Sequence, residues 1–169
     1  MPPFRPDEFG RIDYQLMQNS PVALYHSPAI LGEHAAELEA LGYRCPALEA
    51  RGWDTEERLH DDFARVLDFP DYYGRNLDAL NDCLWDLPYD GRTGIGLVIT
   101  GYDTFAARFP RVAWDVLDII GHNSRDALLV GNRLLALVQS DDPRLHFEPV
   151  GGTAPTWNFR EWFDRDRGL

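Results

Sequence analysis

Residues 69–84 read FPDYYGRNLDALNDCL, and this stretch carries the most regular pattern in the 169-residue chain. Pro70 and Gly74 are residue types that favour turns, and they enclose two tyrosines. Asn76 is a residue type that caps helices. The leucines that follow it recur at the spacing of one helical face, formed by Leu77, Leu80, Leu84 and Leu87. The stretch therefore predicts a turn that leads into an amphipathic helix with Asn76 at its start.

The opposite side of this predicted helix carries polar groups and one large ring, namely Asp78, Asn81, Asp82 and Trp85. Asp78 and Asp82 lie four residues apart, so their like charges are neighbours on the helix surface. Carboxylates beside aromatic rings are typical of a protein-binding patch, and Tyr72 and Tyr73 lie in the preceding turn. The same pattern is typical of a solvated helix in an acidic chain, with Trp85 packed back onto the core. The spacing alone leaves both interpretations open.

Upstream of this stretch, the apolar pattern predicts a strand, a helix and a second strand. Residues 1–20 read as an irregular lead-in, and residues 22–26 form a short apolar run typical of a strand. A Ser-Pro pair then favours a helix start. Residues 43–50 read as a second strand, weakened by Pro46. This succession predicts a βαβ unit in which the two strands form a parallel pair.

Two further helical segments flank the leucine-rich helix. The first is predicted to begin at Asp54, because Glu57 lies three residues further on at the capping-box spacing, and to end at Pro70. The second is predicted to begin near Asp103 and to be interrupted at Pro110.

The remaining strands follow from short apolar runs at residues 96–100 and 133–139. Residues 124–132 fit either a helix or a hairpin with a Gly-Asn turn. The tail is predicted to form a short helix from the spacing of Phe159, Trp162 and Phe163. Alternating strands and helices predict an α/β fold, with a small, mostly parallel sheet of three to four strands packed by helices.

The charge of the chain limits its partners. Its formal net charge is −12, and all sixteen basic residues are arginines. Residues 54–90 hold eleven of the acidic residues against three arginines. Such a surface repels phosphate backbones and anionic lipids, so we expect no direct binding to nucleic acid or membrane. It favours a cationic partner instead.

No pattern in the chain indicates a cofactor or a metal. Cys45 and Cys83 are too few for a disulfide framework and lack zinc-site spacing, so we expect two ordinary buried thiols in a reducing compartment. The five histidines show no paired spacing, and the glycines of residues 91–96 precede a predicted strand instead of following one. With no leader pattern or membrane span, the expected location is the cytoplasm.

Residues 69–84 closely resemble the signature segment of barstar, the family of intracellular inhibitors of the bacterial ribonuclease barnase. More loosely, the resemblance extends over residues 44–139, which show the family's order of strands and helices. On this basis the chain is expected to be a single domain over 1–169. Residues 1–43 would be an N-terminal βα extension and residues 140–169 a C-terminal extension of the barstar-like core.

The resemblance implies which residues bind the partner. In this family the loop tyrosine and the acidic side of the helix plug the ribonuclease active site, which assigns those roles to Tyr72, Asp78 and Asp82. Gly74 and Asn76 match the loop and the helix start. A further acidic contact lies in the helix before the last strand, and Asp118 is the nearest candidate.

Two positions depart from the family pattern. The family has a tryptophan where this chain has Asn81, and Trp85, one turn further on, is a candidate substitute. The family's acidic loop residue is Arg75 here, which reverses the charge at the edge of the patch. Both departures point to a ribonuclease other than barnase, or to another basic toxin, as the partner.

Three functional hypotheses follow. The favoured one is a non-catalytic, barstar-like inhibitor or immunity protein that occludes a basic ribonuclease with its acidic helix. The alternative is an acidic interaction adaptor whose partner is not a nuclease. The third is a hydrolase that uses Asp78 and Asp82, for which no activity is expected because nothing apolar is placed to separate their pKa values.

Overall fold

A single sheet organises the molecule, whose computed structural model describes residues 4–162 and residue 167. Its strands are β1 (Val22–Tyr25), β2 (Tyr43–Arg44), β3 (Ala47–Glu49), β4 (Gly94–Thr100), β5 (Leu134–Gln139) and β6 (Thr156–Trp157). The order across the sheet is β2-β4-β5-β1-β6, and β3 also pairs with β4. All of these strand pairs are parallel, which confirms the predicted α/β class.

Helices cover both faces of the sheet. They are α1 (Ile12–Met17), α2 (Pro28–Ala40), α3 (Glu56–Leu67), α4 (Leu77–Trp85), α5 (Tyr102–Arg108) and α6 (Pro110–Leu129), with single 3₁₀ turns at Pro6–Glu8 and Ala50–Gly52. The side chains of β5 alternate between two cores: Leu134 and Ala136 face α3–α6, whereas Leu135 and Leu137 face α1 and α2. A parallel sheet buried on both faces explains why its strands read as continuous apolar runs.

The sheet has six strands instead of the predicted three to four. One reason is that β6, from the C-terminal segment, joins the sheet beside β1. Another is that residues 43–50 make two short strands separated at Pro46, which has no N–H to donate to the ladder. The carbonyl of Pro46 still accepts a hydrogen bond from the N–H of Val98 at 2.9 Å.

The predicted direct pairing of the first two strands is wrong. β1 pairs with β5, in the register Val22↔Ala136, and β4 and β5 lie between β1 and β2. Helix α2 therefore connects strands that are separated by two others.

Two predicted helix starts are shifted. Thr55, not Asp54, caps α3, and its hydroxyl accepts from the N–H of Arg58 at 3.2 Å. Gly101 precedes α5 in a left-handed conformation, and Asp103 lies inside the first turn, where its carboxylate accepts from the backbone N–H of Asp141 at 3.1 Å.

The structure also defines three segments that the sequence left irregular, ambiguous or weakly predicted. The N-terminal lead-in contains α1, and residues 124–129 continue α6, so the helical alternative holds there. The tail forms β6 and then a turn over residues 159–162 instead of a helix, while Phe163 lies outside the described residues. None of the helices among the described residues is long and apolar enough to cross a membrane.

Polar contacts hold both terminal segments to the body. Asp13 of α1 is completely buried and binds Arg11, Arg133 and the hydroxyl of Tyr43. Near the other end, the carboxylate of the buried Glu161 accepts from the backbone N–H groups at the start of α2, at 3.0 and 2.8 Å. The segments predicted as extensions are therefore integral to the sheet and its packing.

Candidate protein-binding site

The turn before α4 buries one tyrosine and displays the other. Tyr73 is only 8% exposed, packs against Phe69, and its hydroxyl bonds to Nδ1 of His60 on α3. Burial raises the pKa of Tyr73, so its hydroxyl stays protonated. Tyr72 is 88% exposed. The buried ring anchors the turn, and its neighbour projects into solvent.

Helix α4 begins as the sequence predicts. The side chain of Asn76 accepts from the N–H of Ala79 at 2.8 Å and donates to the carbonyl of Gly74 at 3.2 Å. A Cβ on Gly74 would lie only 3.3 Å from that of Ala79, which explains the small residue in the turn. The capped turn thus fixes where the helix starts.

Packing of the leucines sets the rotation of α4. Leu80 and Leu84 are buried against the core, and α4 packs on α6. The opposite side is exposed, and with the turn it forms the surface called here the acidic face, made of Tyr72, Asn76, Asp78, Asn81, Asp82 and Trp85. Trp85 is 60% exposed, so the interpretation that it packs back onto the core is wrong.

The charges at this face differ in how they are compensated. Among the residues that the structure describes, Asp78 and Asp82 form no ion pair. Arg75, which reverses the charge at the edge of the face, pairs with Asp61 of α3. The two helix carboxylates therefore remain uncompensated, whereas the positive charge of Arg75 is balanced locally.

Helix α6 supports the acidic face from one side. The buried Asn123 donates from its amide to Oδ1 of Asn81 at 2.9 Å and to the carbonyl of Ile119 at 2.9 Å. Next to this contact lies a hollow of about 170 Å³, lined by Leu84, Trp85, Tyr89, Asn123, Asp126, Ala127, Val130 and Asn132. The hollow lies between the exposed ring of Trp85 and the C-terminal part of α6.

Asp126 is the acidic residue that sequence reasoning missed. It lies in the segment that fitted either a helix or a hairpin, and it lines the hollow beside Trp85. Helical spacing from Asn123, three residues earlier, would have placed it on the side of α6 that meets α4.

Asp118, predicted to contact the partner, is hydrogen-bonded within the chain. Its carboxylate accepts from the N–H of Gly151 at 2.8 Å, while Arg125 on the same helix donates to the carbonyl of Gly151 at 2.8 Å. Asp118 and Arg125 thus bind the backbone N–H and C=O groups of Gly151, in the segment after β5. These bonds favour a role in holding that segment and not a role in the acidic face.

The described residues contain no group of three or more His, Cys, Asp or Glu side chains that could hold a metal ion. Cys45 and Cys83 are free and half-buried. Burial raises the pKa of Cys45 to about 11, which leaves it a protonated thiol at neutral pH.

Fold and site together define a small α/β protein that displays an acidic, aromatic surface on one capped helix. The family model described as Barstar (barnase inhibitor) matches residues 43–135, and the chain belongs to the barstar family. It is also 45% identical over 76 residues to a Bacillus subtilis (strain 168) protein named "Putative ribonuclease inhibitor YrdF". That match covers 43% of this chain and 77% of the relative. Both comparisons support a role similar to that of a ribonuclease inhibitor.

Proposed function

We propose that this chain is a non-catalytic inhibitor that binds a basic ribonuclease, or another basic toxin, and occludes its active site with the acidic face. It would act in the cytoplasm as the immunity protein of the cell that makes the enzyme. The observation that carries the proposal is the display of Asp78 and Asp82 on a capped helix with no ion pair among the described residues.

The chemistry of a ribonuclease active site makes such a surface a suitable ligand. A site that binds RNA phosphates presents cationic side chains, and arginine holds a carboxylate through two parallel hydrogen bonds as it holds a phosphate. Asp78 and Asp82 would take the place of the phosphate oxygens. The net charge of −12 would also speed the encounter with a basic enzyme.

Rings at both ends of the acidic face would supply the apolar contacts. Tyr72 and Trp85 are exposed aromatic side chains, the type that dominates binding energy when a partner buries it. Asp126 would add a third carboxylate at the hollow beside Trp85. Because Asn76 caps the helix and Tyr73 anchors the turn, little conformational entropy would be lost on binding.

The test is a titration of the purified chain into ribonuclease assays. The enzymes are barnase and the basic ribonucleases encoded in the same genome. We expect complete inhibition of at least one enzyme at a ratio of one to one. Asp78→Asn and Asp82→Asn should each weaken inhibition about 30-fold or more, since loss of one partner of a desolvated charge pair costs about 2–5 kcal/mol.

Glu39→Gln is the matched control, because Glu39 is an exposed carboxylate on α2, which covers the opposite face of the sheet. It removes the same charge and should leave inhibition unchanged. If all three substitutions weaken inhibition equally, the overall negative charge of the chain, and not the acidic face in particular, would account for inhibition. Capture of non-nuclease proteins alone, without inhibition of any ribonuclease, would favour the adaptor alternative.

A further inference from the structure

The acidic face carries two amides, Asn76 and Asn81, and the Asn76 amide is already engaged in the helix cap. Asp78 and Asp82 can only accept hydrogen bonds when ionised, whereas Asn81, which lies between them along the helix, has an amide that can donate two. All three side chains are exposed. A partner that binds this surface therefore meets two acceptors and, beside them, the Asn81 amide. The orientation of that amide decides whether it presents its oxygen as an acceptor or its NH₂ group as a donor.

The contacts of α6 fix the orientation of that amide. The carbonyl of Ile119 can only accept, so the NH₂ group of Asn123 must face it. The second hydrogen of the same NH₂ group points to Asn81, which must present its oxygen in return. Asn123 is only 4% exposed, so its NH₂ group has little contact with water.

The Asn81 amide nitrogen is consequently turned away from α6. Within the described part of the chain, that nitrogen donates to no acceptor. The face thus presents a positioned hydrogen-bond donor next to two negative charges.

We propose that Asn81 is a specificity-determining residue, whose positioned amide donates to a hydrogen-bond acceptor of the target. This inference rests on the proposed function and adds to it the chemistry of the partner. The contact surface of the target would hold an acceptor, either a carboxylate or a carbonyl oxygen, beside the cations that meet Asp78 and Asp82. A target with a third cation at that place would be rejected, because it would face a donor.

The decisive variant is Asn81→Asp. It keeps the oxygen that accepts from Asn123 and replaces only the outward NH₂ group with a second oxygen. Asn19→Asp is the matched control, because Asn19 is exposed in the N-terminal segment and gains the same charge. Dissociation constants are measured with barnase, or with the ribonuclease that the wild-type chain inhibits in the titration above.

We expect Asn81→Asp to weaken binding at least tenfold, although its added negative charge would favour a basic enzyme in general. Asn19→Asp should leave binding unchanged or slightly tighter. If the target acceptor is a carboxylate, the loss should shrink at high salt, since screening weakens repulsion; for a carbonyl oxygen, it should change little. Thermal unfolding of both variants checks that the fold is intact.

Binding by Asn81→Asp as tight as that of the wild type, or tighter, would overturn the inference. Asp82→Asn, measured in the same series, separates this result from failure of the proposed function. If Asp82→Asn weakens binding and Asn81→Asp does not, the acidic face is the site and the donor role is wrong. If neither matters, the site assignment itself is wrong.

Discussion

Replacement of Asp82 by asparagine should stabilise the protein while it weakens binding. Asp82 lies four residues from both Asp78 and Asp86, so it faces two like charges on the same helix surface. It also lies in the second half of the nine-residue helix α4, where the helix dipole disfavours a negative charge. Asparagine has nearly the same helix propensity as aspartate, so the substitution tests charge alone.

The expected gain follows from these contacts. Each like-charge pair costs about 0.2–0.5 kcal/mol, and an unfavourable charge near a helix C-terminus costs about 0.3–1 kcal/mol. The free energy of unfolding of Asp82→Asn should therefore rise by about 1 kcal/mol, and the melting temperature by about 2–4 °C. Affinity for the target should fall by about 2–5 kcal/mol, a range that rests partly on the barnase–barstar complex itself.

Urea unfolding at low and at high ionic strength, with calorimetric titration against the target, measures both effects. The gain in stability should shrink in 1 M salt, where surface charges are screened. A variant that unfolds more easily than the wild type would refute the reasoning, because Asp82 would then make a favourable contact within the chain.

Three further substitutions test the packing beneath the acidic face and at the termini. Asp13→Ala removes a fully buried carboxylate from its two arginines and should lower the free energy of unfolding, measured in urea, by about 3–5 kcal/mol. A loss below about 1 kcal/mol would show that the Asp13 carboxylate does not hold the N-terminal segment. Burial lowers the pKa of His60, so the unfolded chain binds a proton at this residue more readily than the folded protein does. The stability that this pKa difference contributes is present above about pH 6.5, the ordinary histidine pKa. It should be lost as the pH falls through that value toward the lower folded-state pKa. His60→Asn should flatten this slope between pH 5 and 8, and an unchanged slope would assign it to other groups. Gly151→Ala should destabilise by more than about 1 kcal/mol, because Gly151 has φ +55° and a Cβ there would lie 2.5 Å from the backbone of Gly121. Gly131→Ala, at φ +84° in open space, is its control and should cost less in thermal unfolding.

The parts of the fold that the sequence predicted correctly are those set by local chemistry. The asparagine cap of α4 is as predicted and depends only on neighbouring residues. Leu80 and Leu84 of the predicted stripe are buried on one side of the helix, whereas Leu87 lies beyond its end. The continuous apolar runs of β4 and β5 also identified the central strands. The exposure of Asp78 and Asp82 followed directly from the leucine stripe on the opposite side of the helix.

The parts that could not be predicted depend on contacts distant in sequence. The position of β1 is set by pairing with β5, more than a hundred residues later, and no local pattern encodes that choice. The bonds of Asp118 to Gly151 and of Asn123 to Asn81 likewise join distant segments. Of the tail predicted as a helix, the described residues 159–162 form a turn, in which Glu161 is bound by backbone N–H groups at the start of α2.

The choice between Asp54 and Thr55 as the helix cap shows a different limit. The side chains of aspartate and threonine both accept hydrogen bonds from backbone N–H groups, and both residues lie next to the start of α3. Thr55 has the extended backbone angles of a cap and accepts from the N–H three residues on, whereas Asp54 pairs with Arg58 through its side chain. Sequence patterns resolve a helix start to about one or two residues and no better.

The most direct test of the central claim asks whether the protein and an RNA fragment compete for the same place on the ribonuclease. A mononucleotide that occupies the active site is added to the nuclease at concentrations from zero to well above saturation, and the affinity of the chain is measured at each concentration. If the acidic face stands in for phosphate, binding should be mutually exclusive, and the apparent dissociation constant should rise in proportion to the nucleotide. A ternary complex of nuclease, nucleotide and inhibitor, with unchanged affinity, would contradict the account.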